Sequence, residues 1–276
     1  MSLLAIDVNK CKKDGICVIE CPRNIIQLGD EDGYPQSVPG GEKMCILCGH
    51  CVAVCPNNAL SNFKVPIEVC PPIEKKFLIN ENQSTQFLRS RRAIRNYEDK
   101  PVENDKIQKL IDISRYAPNA GNTQMVEWVV VNDKDKVHKI AEETADWIRE
   151  ILNDDPAKVN LTAGFLKFFL AAWDSGQDSI LRNAPALIVA MAPKKSGSGI
   201  MDPVIALAYL ELAAPVQGLG TCWAGLMNSA MVNSSKIRSS VGIPEDYPYF
   251  YPMMLGYPRF KFYRLPERNQ SKIIWR

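Results

Sequence analysis

The sequence predicts two parts: a small, loop-rich domain that holds most of the cysteines, followed by a larger α/β or α+β sandwich. Eight of the nine cysteines lie between Cys11 and Cys70, and the rest of the chain holds only Cys222. The 276 residues correspond to about two domains at a typical ~150 residues each. Beyond about residue 100, apolar patterns of helix and strand length alternate, which is typical of layered α and β structure.

The composition excludes several classes of protein. Hydrophobic residues make up 46% and charged residues 23%, a globular balance. With 33 basic and 31 acidic residues, the chain lacks the excess of basic residues that is typical of nucleic-acid-binding proteins. The longest apolar runs, such as 184–193 and 204–210, are shorter than the ~18 residues of a membrane span, and the N-terminus lacks a secretory n-region. We expect a cytoplasmic protein without a membrane or nucleic-acid partner, whose clustered cysteines bind metal.

The first part, residues 1–66, contains an internal repeat. CVIECP at 17–22 is repeated as CVAVCP at 51–56, and NIIQL after the first copy matches NNAL after the second. This pattern predicts two copies of one metal-binding unit. Residues 67–85, which have a proline pair and no clean period, are predicted to be a linker.

The second copy has the spacing C-x2-C-x2-C-x3-C-P, formed by Cys45, Cys48, Cys51, Cys55 and Pro56. Three closely spaced thiolates can bind three irons of one iron–sulfur cluster, while the fourth reaches the other cluster of a two-cluster ferredoxin. A zinc ribbon needs two separated cysteine pairs and fits this spacing poorly. The motif therefore predicts two 4Fe-4S clusters.

The first copy departs from this pattern at Asp14, which takes the place of Cys48. A carboxylate is a harder and weaker ligand for this iron than a thiolate, so the cluster beside it could be isolated as 3Fe-4S. Asp14-Gly15 is also a good turn dipeptide, which leaves Asp14 as a ligand, a turn residue or both. Cys70 is a less favoured source of the missing thiolate. The predicted ligands are Cys11, Cys17 and Cys55 with or without Asp14 for cluster one, and Cys21, Cys45, Cys48 and Cys51 for cluster two.

The two histidines give little support to hydrolytic chemistry. His50 either hydrogen-bonds a cluster sulfur or is simply exposed beside the cluster, and His138 is predicted to be on the surface. Neither has a visible partner for a Ser-His-Asp or Cys-His arrangement. For the same reason Cys222 is predicted to be a packing residue and not a nucleophile.

Helices and strands alternate in the second part. Periodicity and end signals predict helices over 102–117, 136–152, 161–173 and 203–217, and strands over 128–131, 186–192 and 249–257. Asn104 is the predicted N-cap of the first of these helices.

Several short motifs mark the second part. The basic stretch 90–102 contains three arginines, which either converge on a phosphate or form a solvated face. A polar turn, APNAGNTQ, covers 117–124, a glycine-rich turn, GLGTCWAG, covers 218–225, and LGYP and LPER follow. Since Trp223 stands at the third glycine position of G-x-G-x-x-G, there is no Rossmann fingerprint here.

In their order and spacing, these motifs resemble the flavin-dependent nitroreductase family from about residue 86 to the C-terminus. The first part resembles bacterial two-cluster ferredoxins. The resemblance implies three segments: a ferredoxin-like domain (1–66), a linker (67–85) and a nitroreductase-like domain (86–276). It also implies an α+β sandwich that forms a homodimer with FMN at the subunit interface.

The resemblance implies a set of FMN-binding positions. Ala93 and Asn119 depart from the family, since each stands where a serine is usual. The complete set is Arg91, Arg92, Ala93, Arg95, Asn119, Ala120, Asn122, Gln124, Cys222, Trp223, Ala224, Gly225 and Arg268.

The combined resemblance implies an FMN-dependent oxidoreductase with its own electron relay. A low-potential donor, ferredoxin or NAD(P)H, would feed the clusters, and the flavin would reduce a nitroaromatic, a quinone or an enone. No side chain need act as acid or base, so no catalytic residue is predicted. The alternatives are an electron carrier or flavin-holding protein without its own substrate, and a reductive dehalogenase of the same fold. If the apolar segment 164–173 forms a lid or a wall of a substrate pocket, it favours an enzyme. If it seals the flavin face or packs at the dimer interface, it favours an electron carrier.

Overall fold

The computed structural model describes residues 3–276, apart from the side chain of residue 158, and divides into two compact units. Within the described range, one unit comprises residues 3–79 with Gly121–Thr123, and the other Asn80–Ala120 with Gln124–Arg276. The first two residues of the predicted 1–66 domain lie outside the described range. The division falls inside the predicted linker, where Asn80 begins a helix with a capping box: the side chains of Asn80 and Gln83 each accept the other's backbone N–H.

The first unit is built from very short elements. Strand β1 pairs antiparallel with β4, and β2 pairs antiparallel with β3. Helices α1 and α3 each follow a glycine in the left-handed conformation, Gly15 and Gly49, so the two sequence repeats form matching local structures. The elements are β1 (Leu4–Ile6), α1 (Ile16–Ile19), β2 (Ile26–Leu28), β3 (Pro35–Ser37), α2 (Gly41–Met44), α3 (His50–Ala53) and β4 (Leu60–Asn62).

The second unit is a four-stranded antiparallel sheet between two layers of helices. Its strand order is β5-β6-β8-β7, which confirms the predicted α+β sandwich. The elements are α4 (Glu81–Ser90), α5 (Asn104–Ser114), β5 (Glu127–Val131), α6 (Lys134–Asn153), α7 (Ala163–Asp174), β6 (Ala186–Ala192), α8 (Met201–Ala213), β7 (Gly220–Trp223), α9 (Gly225–Asn233), α10 (Ser235–Val241) and β8 (Tyr249–Gly256).

Strand β6 is the centre of the apolar core, since all seven of its residues are buried. Its side chains alternate between the two faces of the sheet. Leu187 and Val189 pack with apolar residues of α6, α7, α9 and α10, whereas Ile188 and Ala190 pack with residues of α5 and α8. Burial on both faces explains why the strand reads as a continuous apolar run.

The structure corrects part of the predicted pattern. The N-cap of α5 is Glu103, and Asn104 is the first helical residue. The Asn104 prediction was wrong because its side-chain oxygen accepts instead from Nδ2 of Asn132 at 2.8 Å. The helix predicted over 203–217 ends at Ala213 and continues as a 3-10 turn. Among residues 3–276, no helix is long and apolar enough to cross a bilayer.

Candidate functional site

Two cysteine-lined cavities lie in the first unit. The lining of one includes Cys21, Cys45, Cys48 and Cys51. The lining of the other includes Cys11, Cys17, Cys55 and Asp14. These are the two side-chain sets that the cross-over pattern predicts.

The electrostatic neighbours of the buried thiols give the same grouping. Burial, with smaller contributions from Cys48, Cys21 and Cys45, raises the pKa of the Cys51 thiol to about 11. Burial likewise raises the pKa of Cys17, with additional effects from Cys55, Asp14 and Cys11. Cluster assembly therefore has to release protons from these thiols.

The arrangement of these side chains suits clusters better than single ions. Within residues 3–276, no group of three or more His, Cys, Asp or Glu side chains converges on a point that could hold one metal ion. In a 4Fe-4S cluster each thiolate binds a different iron, so the ligands surround a cavity instead of meeting at a point. The residues present fit two such clusters.

Asp14 has a defined role in the backbone. Its Oδ1 accepts the backbone N–H of Ile16 at 3.1 Å, which closes a turn. The same residue lines the cavity of cluster one, so the turn and ligand roles predicted for it are compatible. Cys70 lies outside the lining of both cavities, and its thiol donates to the carbonyl of Pro66.

Both histidines are exposed. Nδ1 of His50 lies 3.0 Å from Oε1 of Glu20, the residue before Cys21. His138 is exposed, as predicted, and stacks on Trp173 with ring centroids 5.3 Å apart.

In the second unit, the arginine-rich segment lies against strand β7. The backbone N–H of Ile94 donates to the carbonyl of Thr221 at 2.8 Å. Gly220 permits this approach, because a Cβ at this position would lie 2.3 Å from Cγ1 of Ile94. Two motifs that are far apart in the sequence, the arginines and the glycine-rich turn, are thereby brought together.

A cavity of about 410 Å³ opens beside this junction. Its lining includes Gly220, Thr221, one acidic residue, Glu211, and three cationic residues, Arg91, Arg92 and Lys261. Among the described residues, Nε of Arg92 is buried without a hydrogen-bond partner. A buried guanidinium N–H without an acceptor fits a phosphate group, which accepts charge-assisted hydrogen bonds.

Glu211 connects two of the predicted positions. This nearly buried residue of α8 accepts from Nη1 of Arg91 at 2.8 Å through Oε1 and from Nε1 of Trp223 at 3.0 Å through Oε2. Sequence reasoning missed Glu211 and Lys261. The signal for Glu211 was available, since it is the one charge among the apolar residues 203–217.

The polar turn 117–124 has an unusual backbone. Gly121, Asn122 and Gln124 all have positive φ, a conformation that persists only where the surroundings hold it. Oδ1 of Asn119 accepts the N–H of Gln124 at 2.9 Å, and Oδ1 of the buried Asp202 accepts the N–H of Ala120 at 3.2 Å. Asp202 was also missed from the sequence.

The remaining predicted positions are dispersed. In the first unit, Nδ2 of Asn122 donates to the carbonyl of Ile46 at 3.0 Å. Ala93 packs partly buried against the core, whereas Arg95, Gly225 and Arg268 are exposed. As far as the described residues show, neither the turn 117–124 nor Arg268 lines the cavity at Arg91.

The end of the glycine-rich turn is packed into the unit. The N–H of Ala224 donates to the carbonyl of Pro252 at 3.1 Å, and the ring of Trp223 stands edge-on to Tyr251 at 5.2 Å. Cys222 is buried, and burial raises the pKa of its thiol, while Arg95 and Arg182 lower it. Its environment agrees with the packing role predicted for it.

Helix α7 contains the whole apolar segment 164–173 and packs through one face only. Leu166 is fully buried in the core, whereas Phe165 and Phe168 are exposed. The exposed rings contact Phe169, with centroids 4.8 Å and 5.6 Å away. This aromatic face is available to a substrate or to another protein surface.

Comparison with known proteins covers both units. The model of the nitroreductase family matches residues 88–257, and that of the 4Fe-4S dicluster domain matches residues 3–56. A relative from Archaeoglobus fulgidus, named for an NADH dehydrogenase/NAD(P)H nitroreductase, is 28% identical over 196 residues, which are 68% of this chain and 94% of the relative. The FMN reductase [NAD(P)H] of Bacillus subtilis is 25% identical over 199 residues, 70% of this chain and 72% of that protein.

Solved structures share the fold of the second unit. A nitroreductase with bound FMN from Bacteroides fragilis aligns with a TM-score of 0.55 at 18% identity, covering 71% of this chain and 100% of that one. The family match spans more than half of the chain. The chain therefore belongs to the nitroreductase family of oxidoreductases and carries a 4Fe-4S dicluster ferredoxin domain in front of the nitroreductase domain.

Proposed function

We propose that this protein binds two iron–sulfur clusters and FMN, and reduces a small organic acceptor with electrons from a low-potential donor. The donor is reduced ferredoxin or NAD(P)H, and the acceptor a nitroaromatic, a quinone or an enone. One observation carries the proposal: the same chain holds two cysteine-lined cavities in one unit and a cation-lined cavity in the other.

The protein's own groups have separate tasks in this function. When bound, the clusters transfer single electrons, and FMN collects two and delivers them as a hydride or an electron pair. The thiolates of the two cavities would hold the irons, with Asp14 beside cluster one. Arg92 and Lys261 would bind the flavin phosphate, and Glu211 holds Arg91 and Trp223 in place. The backbone of the 222–225 turn would lie beside the flavin ring, where amide dipoles other than that of Ala224, which donates to Pro252, would stabilise negative charge.

We further propose that the protein is a homodimer with FMN at the interface. The FMN-binding positions of one chain do not line a single cavity, as expected if two copies complete the site. Large apolar side chains of the C-terminal segment are exposed, and such surfaces mark interaction sites. They are Phe260, Phe262, Tyr263, Ile273, Ile274 and Trp275.

The proposal is tested on protein purified without oxygen. Flavin absorbance, iron and acid-labile sulfide are measured per chain, and the mass in solution is measured by light scattering. The protein is then reduced with NADH, NADPH or reduced ferredoxin and mixed with nitroaromatic, quinone and enone compounds. We expect reoxidation of the clusters together with consumption of the acceptor. Flavin without iron and sulfide would overturn the relay.

Matched variants separate the two cofactor sites. Cys48→Ser should abolish the signal of cluster two, whereas Cys70→Ser, a thiol outside both cavities, should leave it intact. Arg92→Gln should weaken FMN binding, whereas Arg115→Gln, an exposed arginine paired with Asp112, should not. Equal effects within either pair would contradict the corresponding site.

The alternatives make different predictions in the same experiment. Uptake of a fixed number of electrons without turnover of any acceptor would identify an electron carrier. Release of halide from halogenated aromatics would identify a reductive dehalogenase. The fold is compatible with the latter, since iodotyrosine deiodinase bound to FMN aligns with a TM-score of 0.51 at 16% identity, covering 70% of this chain and 97% of that chain.

A further inference from the structure

Among the described residues, each cysteine-lined cavity has one asparagine in its lining, but Asn62 beside cluster two is buried, whereas Asn57 beside cluster one is partly exposed. Asn62, the last residue of β4, is 2% exposed and lines the cavity formed by the cluster-two cysteines. Its Nδ2 donates to Sγ of Cys45 at 3.9 Å. Sulfur is a weak acceptor as a thiol, but a metal-bound thiolate carries negative charge and accepts more strongly.

The orientation of this amide is fixed by its other end. The backbone N–H of Lys64 donates to Oδ1 of Asn62 at 2.9 Å. An N–H can be matched only by the oxygen of the amide, so the NH2 group has to face the sulfur. The backbone carbonyl of Asn62 also accepts from Val65 at 3.0 Å, which holds the residue in a tight turn.

The internal repeat places an amide at this position in one copy only. Asn62 lies seven residues after Cys55, and the residue seven positions after Cys21 is Leu28. Leucine has no polar hydrogen to donate, and Leu28 is exposed. Cluster one has a backbone donor instead, since the N–H of Ala59 donates to Sγ of Cys55 at 3.3 Å. The two copies of the repeat therefore differ at this position in one side-chain hydrogen-bond donor, the amide of Asn62, which a single substitution can remove.

A hydrogen bond to a ligating sulfur favours the reduced cluster. Reduction adds one electron and makes the cluster and its thiolates more negative, and a donor stabilises that added charge. No bond forms or breaks in this step, and the amide protons stay on Asn62. We propose that Asn62 raises the midpoint potential of cluster two through its hydrogen bond to Cys45. This inference rests on the proposed presence of the clusters.

The test is a redox titration of the full-length protein monitored by electron paramagnetic resonance. Asn62→Leu installs the residue of the other copy, and Gln27→Leu removes an exposed amide from β2 as the matched control. We expect Asn62→Leu to shift the midpoint potential of cluster two downward, with the signal of cluster one and the Gln27→Leu protein unchanged. Cys48→Ser identifies which signal belongs to cluster two. An unchanged midpoint in Asn62→Leu with full iron content would overturn the inference.

A second measurement does not depend on the variant assembling its clusters. Protein with its natural sequence is labelled with ¹⁵N at the asparagine side-chain amides, and nitrogen coupling to reduced cluster two is recorded by pulsed electron paramagnetic resonance. We expect a coupling at cluster two, and its absence would overturn the inference. Absence of iron and sulfide from the protein would instead contradict the proposed function, so the two failures are distinguishable.

Discussion

The two units of this protein have different sources of stability. Three of the nine buried residues in the hydrophobic cluster of the first unit are cysteines that line the cluster cavities, and the strands of this unit are three residues long. The second unit has a fully buried strand with apolar side chains packed on both faces. Small domains without a sizeable apolar core usually need metals or disulfides. The comparison shows how metal binding and apolar burial can stabilise neighbouring parts of one chain.

Removal of iron should have the largest effect and should be confined to the first unit. Without metal the cysteine thiols regain their protons, and the short elements lose the bonds that hold them together. We expect chelation under oxidising conditions to abolish protection of 3–79 from proteolysis, while the second unit stays protected. Limited proteolysis with mass spectrometry measures this protection. If the first unit stays protected without iron, its apolar residues alone are enough to keep it folded.

The core of the second unit should be sensitive to loss of apolar volume. Leu187 of β6 is fully buried, so Leu187→Ala is expected to lower the free energy of unfolding by about 2–5 kcal/mol. Leu88→Ala, at an exposed leucine of α4, is the matched control with little expected effect. Urea unfolding followed by tryptophan fluorescence measures both. Equal losses would mean that burial in β6 does not determine the stability of this unit.

Glu211→Ala should give a smaller loss in the same unit. It leaves Arg91 without its ion pair and Nε1 of Trp223 without its acceptor. Because Arg91 is partly exposed to solvent, we expect a loss of about 1–3 kcal/mol in the free energy of unfolding. Glu211→Gln keeps one of the two acceptor oxygens and should lose less, which the same urea titration measures. A Gln variant as unstable as the Ala variant would show that the one retained acceptor does not stabilise the unit.

The smallest expected effect concerns alkaline pH. Tyr247 donates to Oε1 of Glu127 at 2.5 Å, and this hydrogen bond raises the pKa of the phenol from 10.0 to about 12. Between pH 10 and pH 12 the folded protein keeps the phenolic proton of Tyr247, which the unfolded chain has lost. The stabilisation from this hydrogen bond is therefore complete below pH 10 and is lost as the pH rises towards 12. Unfolding titrations at several alkaline pH values should show a shallower decline in Tyr247→Phe, and identical declines would contradict this assignment.

The sequence predicted best those features whose physical signal is local. The continuous apolar run of β6 predicted its exact bounds, because burial on both faces leaves no polar position in the strand. The cysteine spacing predicted the two cavity linings, because metal ligands have few alternatives in type and spacing.

Other features depend on the tertiary structure and could not be read locally. Helix α4 is polar without a buried residue, and its first half was assigned to the linker 67–85, although Asn80 and Gln83 carry the signature of a capping box. Helices α9 and α10 were missed because serine and asparagine recur through 225–242 and hide the helical period. The roles of Glu211 and Lys261 require the meeting of segments far apart in the sequence.

Gly218 and Gly220 each tolerate few substitutions, but for different reasons. Gly218 has φ +74 and no atom within 4 Å of a built Cβ, so it is required by backbone conformation, and asparagine is its most acceptable replacement. Gly220 is required by space, since any side chain meets Ile94 and Pro258. A library of all substitutions at both positions should therefore recover asparagine at 218 and glycine alone at 220. The close approach of the arginine segment to strand β7 thus depends on the absence of a Cβ at position 220. Glycine at this position therefore indicates the same packing in any related sequence.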